Sequence, residues 1–245
     1  MSNSTPQLSE PLAPHNTREA KADIDIYYTS SVLGFASQLS DYLAVLDDSE
    51  LTTAERFKST EARKRYIICH GILRQLLAER VNESAANLRI DKAEFGKPFL
   101  PDHPEISFNM SHSGDILAIA ISSLCQLGID VEYYKTRNTW EGLVKKCFAP
   151  EEAEYWYSLN NTERKHAFYQ FWVKKEAFVK AVGKGITLGL NQCVVNPHHS
   201  SSFLRVPELG REANQWQIYS LDVAENEFAA VVCDKQNAVL RLLSL

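Results

Sequence analysis

The chain has 245 residues, is 44% hydrophobic and carries a net charge of −5. Its length and apolar content suit one large domain or two small ones with a core that needs no covalent staples, and its acidic balance argues against a general nucleic-acid binder, which needs a basic surface to neutralise phosphates. Cys69, Cys125, Cys147, Cys193 and Cys233 lie far apart with no CxxC or CxxH spacing, so they read as reduced thiols of a cytosolic protein and not as a zinc site or disulfide framework.

The start, MSNSTPQLSEPLAPHNTREAKAD, has no apolar h-region, and no apolar run long enough to span a membrane follows it. We therefore expect no signal peptide, no membrane association, a cytoplasmic location and a flexible tail over residues 1–22. Ile24 to Thr29 alternates like a short strand. About Thr52 to Val81 reads as one long helical region, with Ile68, Ile72, Leu73, Leu76 and Leu77 on a buried stripe. Gly96-Lys97-Pro98 marks a turn, Ile106 to Asn109 a strand, Asn109 to Asp115 (NMSHSGD) a polar connection, Ile116 to Ser122 a strongly apolar strand and Gly128 to Glu132 (GIDVE) a short one. Ala149 to Leu159 opens with a proline and two glutamates, as a helix N-terminus does. His166 to Val182 reads as a long helix, Gly183-Lys184-Gly185 as a turn, and Trp216 to Val223 with Phe228 to Cys233 as two strands. The order repeats loosely, which predicts an α+β fold of two pseudo-symmetric lobes, 23–125 and 126–245. Each is a long helix packed on a small antiparallel sheet, with a cleft at the seam between them.

In FWVKKEAFVKAVGKG, Phe171 to Gly185, the residues Phe171, Trp172, Phe178, Val179 and Val182, with Phe168 just ahead of them, form one apolar helical face. Lys175 falls in the middle of it, with Glu176 at its edge and Lys180 one turn further on. An unpaired buried ammonium is costly, so Lys175 is expected to find its counter-ion in a nearby carboxylate cluster, that of Asp130 and Glu132 with Glu176. Asp130 and Glu132 point to one side of their strand, and two adjacent carboxylates repel less when a cation lies between them; oxygen ligands favour Mg²⁺ or Ca²⁺. Ordinary alternatives stand beside these readings. A DxE pair on a strand is most often solvated charge, Glu176 and Lys180 make a plain surface ion pair, His112 is a loop histidine, Gly96-Lys97-Pro98 is turn punctuation, and Arg63-Lys64-Arg65 is the wet face of a helix. Walker P-loop, GxSxG, HExxH and GxGxxG patterns are missing.

GKPFLP, FNMSHSGD, LGIDVE and FWVKKEAFVKAVGKG, in that order, resemble the signature blocks of the 4′-phosphopantetheinyl transferases of the surfactin-synthetase-activating type, from about Leu46 to Cys233. The resemblance implies a Mg²⁺-dependent monomer of two pseudo-symmetric lobes. It would move the phosphopantetheine arm of coenzyme A to a serine of an apo acyl, peptidyl or aryl carrier protein, releasing adenosine 3′,5′-bisphosphate. It assigns Asp130, Glu132 and Glu176 to the metal, Lys180 to the pyrophosphate, Lys97 and His112 to phosphates, and Pro98, Asn109 and Ser111 to the same coenzyme A site. Catalytic roles fall on Glu176, Lys180 and His112; Glu176 or a metal-bound water is the candidate to accept the serine proton, with Glu152 a weaker one. Thr53 and Glu50 stand where family members often carry basic residues, so Arg56, Lys58 or Arg63 are expected to replace them. A coenzyme A or carrier-binding module without catalysis, or a Mg²⁺-dependent phosphohydrolase, are the competing readings.

Overall fold

The structure, a computed structural model, describes residues 23–134, 140–208 and 211–245; the tail expected over 1–22 lies outside them. In chain order the elements are β1 (Ile24–Thr29), α1 (Leu39–Leu43), α2 (Asp48–Glu55), α3 (Thr60–Val81), β2 (Asp91–Lys92), β3 (Pro98–Phe99), β4 (Ser107–Ser113), β5 (Ile116–Ser122) and β6 (Leu127–Tyr133). They continue with α4 (Trp140–Cys147), α5 (Pro150–Ser158), α6 (Asn161–Val182), β7 (Val194–Val195), β8 (Phe203–Arg205), β9 (Gln217–Ser220), β10 (Glu227–Cys233) and β11 (Leu240–Ser244). Short 3₁₀ turns fill several connections.

One plan runs twice through this α+β chain. A strand leads to a long helix, a two-stranded ribbon and an antiparallel pair whose last strand returns beside the first, giving the sheet orders β1-β5-β4 and β6-β10-β9. Period-two burial builds the layers. On β5, Leu117, Ile119 and Ile121 pack with α3, while Ile116, Ala118 and Ala120 face the other sheet. On β10, Phe228, Ala230 and Val232 pack with α6, and Ala229, Val231 and Cys233 face back. Thus the two sheets share an inner core, and each long helix covers an outer face. Every side chain of β5 is buried, which is why Ile116 to Ser122 reads as a continuous apolar run.

Helix boundaries follow their caps. The helical region expected over 52–81 is two helices, because Asp47 and Glu50 form a capping box that starts α2, and Ser59 Oγ then accepts from the Ala62 amide to start α3. The helix expected from His166 begins at Asn161, since Asn160 and Glu163 form another capping box ahead of it. Its first turn is polar, so apolar periodicity is silent there. At its other end Gly183 sits in the left-handed region at φ 72°, and a Cβ there would lie 2.9 Å from Lys97 Cδ.

Three further differences matter. The polar connection expected over 109–115 is strand as far as Ser113, paired in register with β5 and leaving Gly114-Asp115 as the turn. Its alternating Asn109, Ser111 and Ser113 reach sideways instead: their side-chain oxygens accept from the Ile129, Val131 and Tyr133 amides of β6 at 2.8, 3.3 and 3.3 Å. That row of bonds is the seam between the sheets. Strand β11 has no counterpart in the sequence reading; it pairs parallel with β1 from Ile24 opposite Leu240 to Tyr28 opposite Ser244, so residues 240–244 complete the first sheet. Helix α4 was likewise not expected. No helix among the described residues is long and apolar enough to cross a membrane.

Candidate active site

Close backbone approach brings α6 onto β6. A Cβ on Gly128 would fall 2.2 Å from the Ala177 carbonyl oxygen and 2.3 Å from the Ala181 amide nitrogen, so only glycine allows this contact. Two and four residues on, Asp130 and Glu132 leave β6 on the same side, beneath Glu176 and Lys180 one turn apart on α6. With Ser111 and His112 from β4 they line one cavity of about 340 Å³.

Asp130 is buried, and its two oxygens differ. Oδ1 accepts from Lys180 Nζ at 2.7 Å and from Ser111 Oγ at 2.8 Å, whereas Oδ2 is buried with no hydrogen-bond partner among the described residues. Burial pushes the Asp130 carboxyl above the usual range, against the pull of Lys180. Lys180 Nζ also donates to Ser111 Oγ at 2.8 Å, and Glu132 Oε2 accepts from Ser113 Oγ at 2.7 Å. Burial first, and then the Asp130 charge, raise Glu176 to about 7, with Lys180 opposing. His112 is exposed at its edge, yet the protein around it and then the Lys180 charge hold its imidazole below the ordinary value.

Two more cavities adjoin this one along the seam. Glu176 and Lys180 also wall a cavity of about 250 Å³ lined by Lys97, Pro98 and Asn109. His112 also walls a cavity of about 240 Å³ lined by Phe57, Arg65, Tyr66 and His70, where the Tyr66 and His70 rings stack at 4.1 Å and Phe57 lies 5.3 Å from Tyr66. Shared walls make the three a single track, suited to a long anionic ligand laid across both sheets. Lys97 commits two of its three donors to the Leu127 and Ala181 carbonyls at 3.1 and 2.6 Å, tying the turn at 96–98 to the last turn of α6; burial lowers it to about 8. Arg56, Lys58 and Arg63 line none of these cavities. Arg65, whose basic run reads as a wet helix face or as one turned to an anionic ligand, does, and its Nε donates to Asp115 Oδ1 at 3.3 Å.

Lys175 does not join the site. It is 0% exposed, and its ammonium pairs with Glu152 Oε2 at 2.7 Å and donates to the Leu190 and Cys193 carbonyls at 2.9 and 2.5 Å. The carboxylate expected beside Lys175 is therefore Glu152 of α5, not the Asp130 cluster. Glu152 in turn is 0% exposed and accepts from the Ala149 and Val195 amides, which removes it as an acceptor for a substrate proton.

For a hard divalent cation the donor chemistry is apt: all-oxygen side chains, one buried carboxylate oxygen without a partner among the described residues, and a second carboxylate raised by burial and then by its acidic neighbours. Among the described residues, however, no three carboxylates, histidines or thiols stand close enough to hold an ion in this arrangement, in which Lys180 takes Asp130 Oδ1.

Comparison with known proteins gives two family matches. Residues 126–233 match the 4′-phosphopantetheinyl transferase superfamily, and residues 35–124 match 4′-phosphopantetheinyl transferase, N-terminal. A putative 4′-phosphopantetheinyl transferase of Synechocystis sp. is 34% identical over 181 residues, 73% of each chain. The 4′-phosphopantetheinyl transferase HetI of Nostoc sp. is 37% identical over 61% of this chain and 65% of its own. The 4′-phosphopantetheinyl transferase Sfp of Bacillus subtilis is 29% identical over 64% of this chain and 69% of its own.

Proposed function

The chain belongs to the 4′-phosphopantetheinyl transferase superfamily, and from that premise we propose how its seam performs the reaction. The protein transfers phosphopantetheine to carrier proteins with coenzyme A as donor. The carrier's serine oxygen bonds to the phosphorus that bears the pantetheine arm, the pyrophosphate bond breaks, adenosine 3′,5′-bisphosphate leaves, and the serine proton must be accepted. Lys180 supplies a point charge to the pyrophosphate, exchanging Asp130 Oδ1 for a phosphate oxygen. Glu176, facing the cavity, accepts the serine proton. With Lys180 drawn off Asp130 Oδ1 to the pyrophosphate, Asp130, Glu132 and Glu176 would have to close up from the described arrangement to hold Mg²⁺, which would neutralise charge on the pyrophosphate. Ser111 orients Asp130 and Lys180 together, and Lys97 with Pro98 and Asn109 shapes one end of the track. The nucleotide end is assigned to the opposite cavity, where Phe57 and Tyr66 offer ring faces and Arg65 and His112 offer donors to a phosphate. The protein acts as a monomer in the cytosol, with lobes 23–125 and 126–245 meeting at the seam and the last strand of the second, β11, crossing over to the sheet of the first.

The observation that carries this reading is the partnerless buried Asp130 Oδ2 in a cavity shared with Glu132, Glu176 and Lys180. Incubation with apo carrier protein, coenzyme A and Mg²⁺ should add the mass of one phosphopantetheine arm to the carrier. EDTA should stop the gain and Mg²⁺ restore it, and calorimetry should detect Mg²⁺ binding to the wild type but not to Asp130→Ala. Consumption of coenzyme A without a carrier, or no mass gain with any of several carriers, overturns it.

A further inference from the structure

On the opposite face of α6 a second chemistry is laid out. A cavity of about 480 Å³ lies between α5, α6 and the loop at 197–200, and it shares no lining residue with the seam track. Tyr155, Leu159, Phe171 and Pro197 give it apolar walls, and Lys174 lines it. Lys174 is 2% exposed, and among the described residues its ammonium has neither a hydrogen bond nor an ion pair. The contrast with its chain neighbour is sharp, because Lys175 satisfies all three donors. Burial lowers Lys174 to about 8, and a largely desolvated ammonium with no protein partner at the wall of an open cavity leaves its compensation to whatever enters. Glu163, the one acid in the lining, is engaged with the Asn160 amide in the helix cap. His166 meets Gln170, and His198 lies edge-on to Tyr155.

We propose that this cavity binds a small carboxylate with an apolar body, the carboxylate on Lys174 Nζ and the hydrocarbon against Leu159, Phe171 and Pro197. The volume lies within the usual range for small-molecule pockets, and the pairing of an apolar wall with one convergent charge is how such pockets fix orientation. This site is independent of the transfer chemistry at the seam.

Octanoate is the probe, titrated calorimetrically into the full chain. Saturable binding of octanoate is expected, with octylammonium, of equal length and opposite charge, giving none. Lys174→Met should weaken octanoate by at least about tenfold, and Lys174→Arg should restore most of it. Absent octanoate binding, equal binding of octylammonium, or Lys174→Met binding as tightly as the wild type overturns the proposal. The comparison of the two ligands on the wild-type chain decides the matter even where a variant is poorly folded.

Discussion

The two halves of the molecule share a framework and differ in what they do with it. Arg74 and Lys175 occupy the same position of two 22-residue helices, and each is 0% exposed. Each pairs with a glutamate from the first turn of the preceding helix, Glu50 at 2.6 Å and Glu152 at 2.7 Å, and each donates to two carbonyls of the segment that follows, Ala85 and Leu88 or Leu190 and Cys193. Strand register extends the match. Tyr27 and Thr29 face Ile119 and Leu117 as Asp130 and Glu132 face Ala230 and Phe228. In the first half, therefore, the places of Asp130, Glu132, Glu176 and Lys180 are taken by Tyr27, Thr29, Gln75 and Glu79. The buried ion pair is a structural device used twice, and the acidic cluster belongs to one half alone.

Breaking the shared device should have the largest effect. Lys175→Met strands Glu152 in the core with no other cation and should cost about 3–5 kcal/mol in urea unfolding. Arg74→Met should cost less, because Asp47 reaches solvent and Glu50 keeps His70 at 3.1 Å. Equal losses would show that the two pairs are not balanced as drawn. Next comes the unshared cluster. Asp130→Ala or Glu176→Ala should lower carrier modification by on the order of 10²–10³-fold while leaving the unfolding midpoint nearly unchanged. Full activity in either variant removes that carboxylate from the site, and a stability loss as large as that of Lys175→Met makes it structural. Gly128→Ala pushes α6 off β6 and should destabilise by about 1–3 kcal/mol with a parallel loss of activity, since the clash is with helix backbone and cannot be relieved by a rotamer. Ser113→Ala should have the smallest effect, about 0.5–1.5 kcal/mol, from losing one acceptor for the Tyr133 amide and one donor to Glu132.

Much of this was legible before any coordinates. The period-two run of Ile116 to Ser122, the common side of Asp130 and Glu132, and the turn at Gly183 are local properties of spacing, and the structure has them where the spacing puts them. Misreadings came where polar residues carried structure. NMSHS looks like a loop by composition, but its polar side chains cap the edge of β6. The start of α6 hid in a polar turn held by Asn160 and Glu163. Lys175 has the carboxylate its burial requires, but from Glu152 and not from the Asp130 cluster, because helical spacing shows that a cation is buried and not which distant acid meets it.

By itself the amino-acid order determined the strand and helix periods, the faces they bury and the chemical types that share a face, since those depend on neighbours within a turn or two of the chain. Only the tertiary structure decided that Glu152 answers Lys175 while Lys174 goes unanswered among the described residues, that β11 returns to β1, and that the acids of β6 lie beneath α6 beside the β4 edge. Such pairings are set by packing sheet on sheet and helix on sheet, where a close approach at Gly128 selects one set of long-range partners out of many that the same local pattern allows.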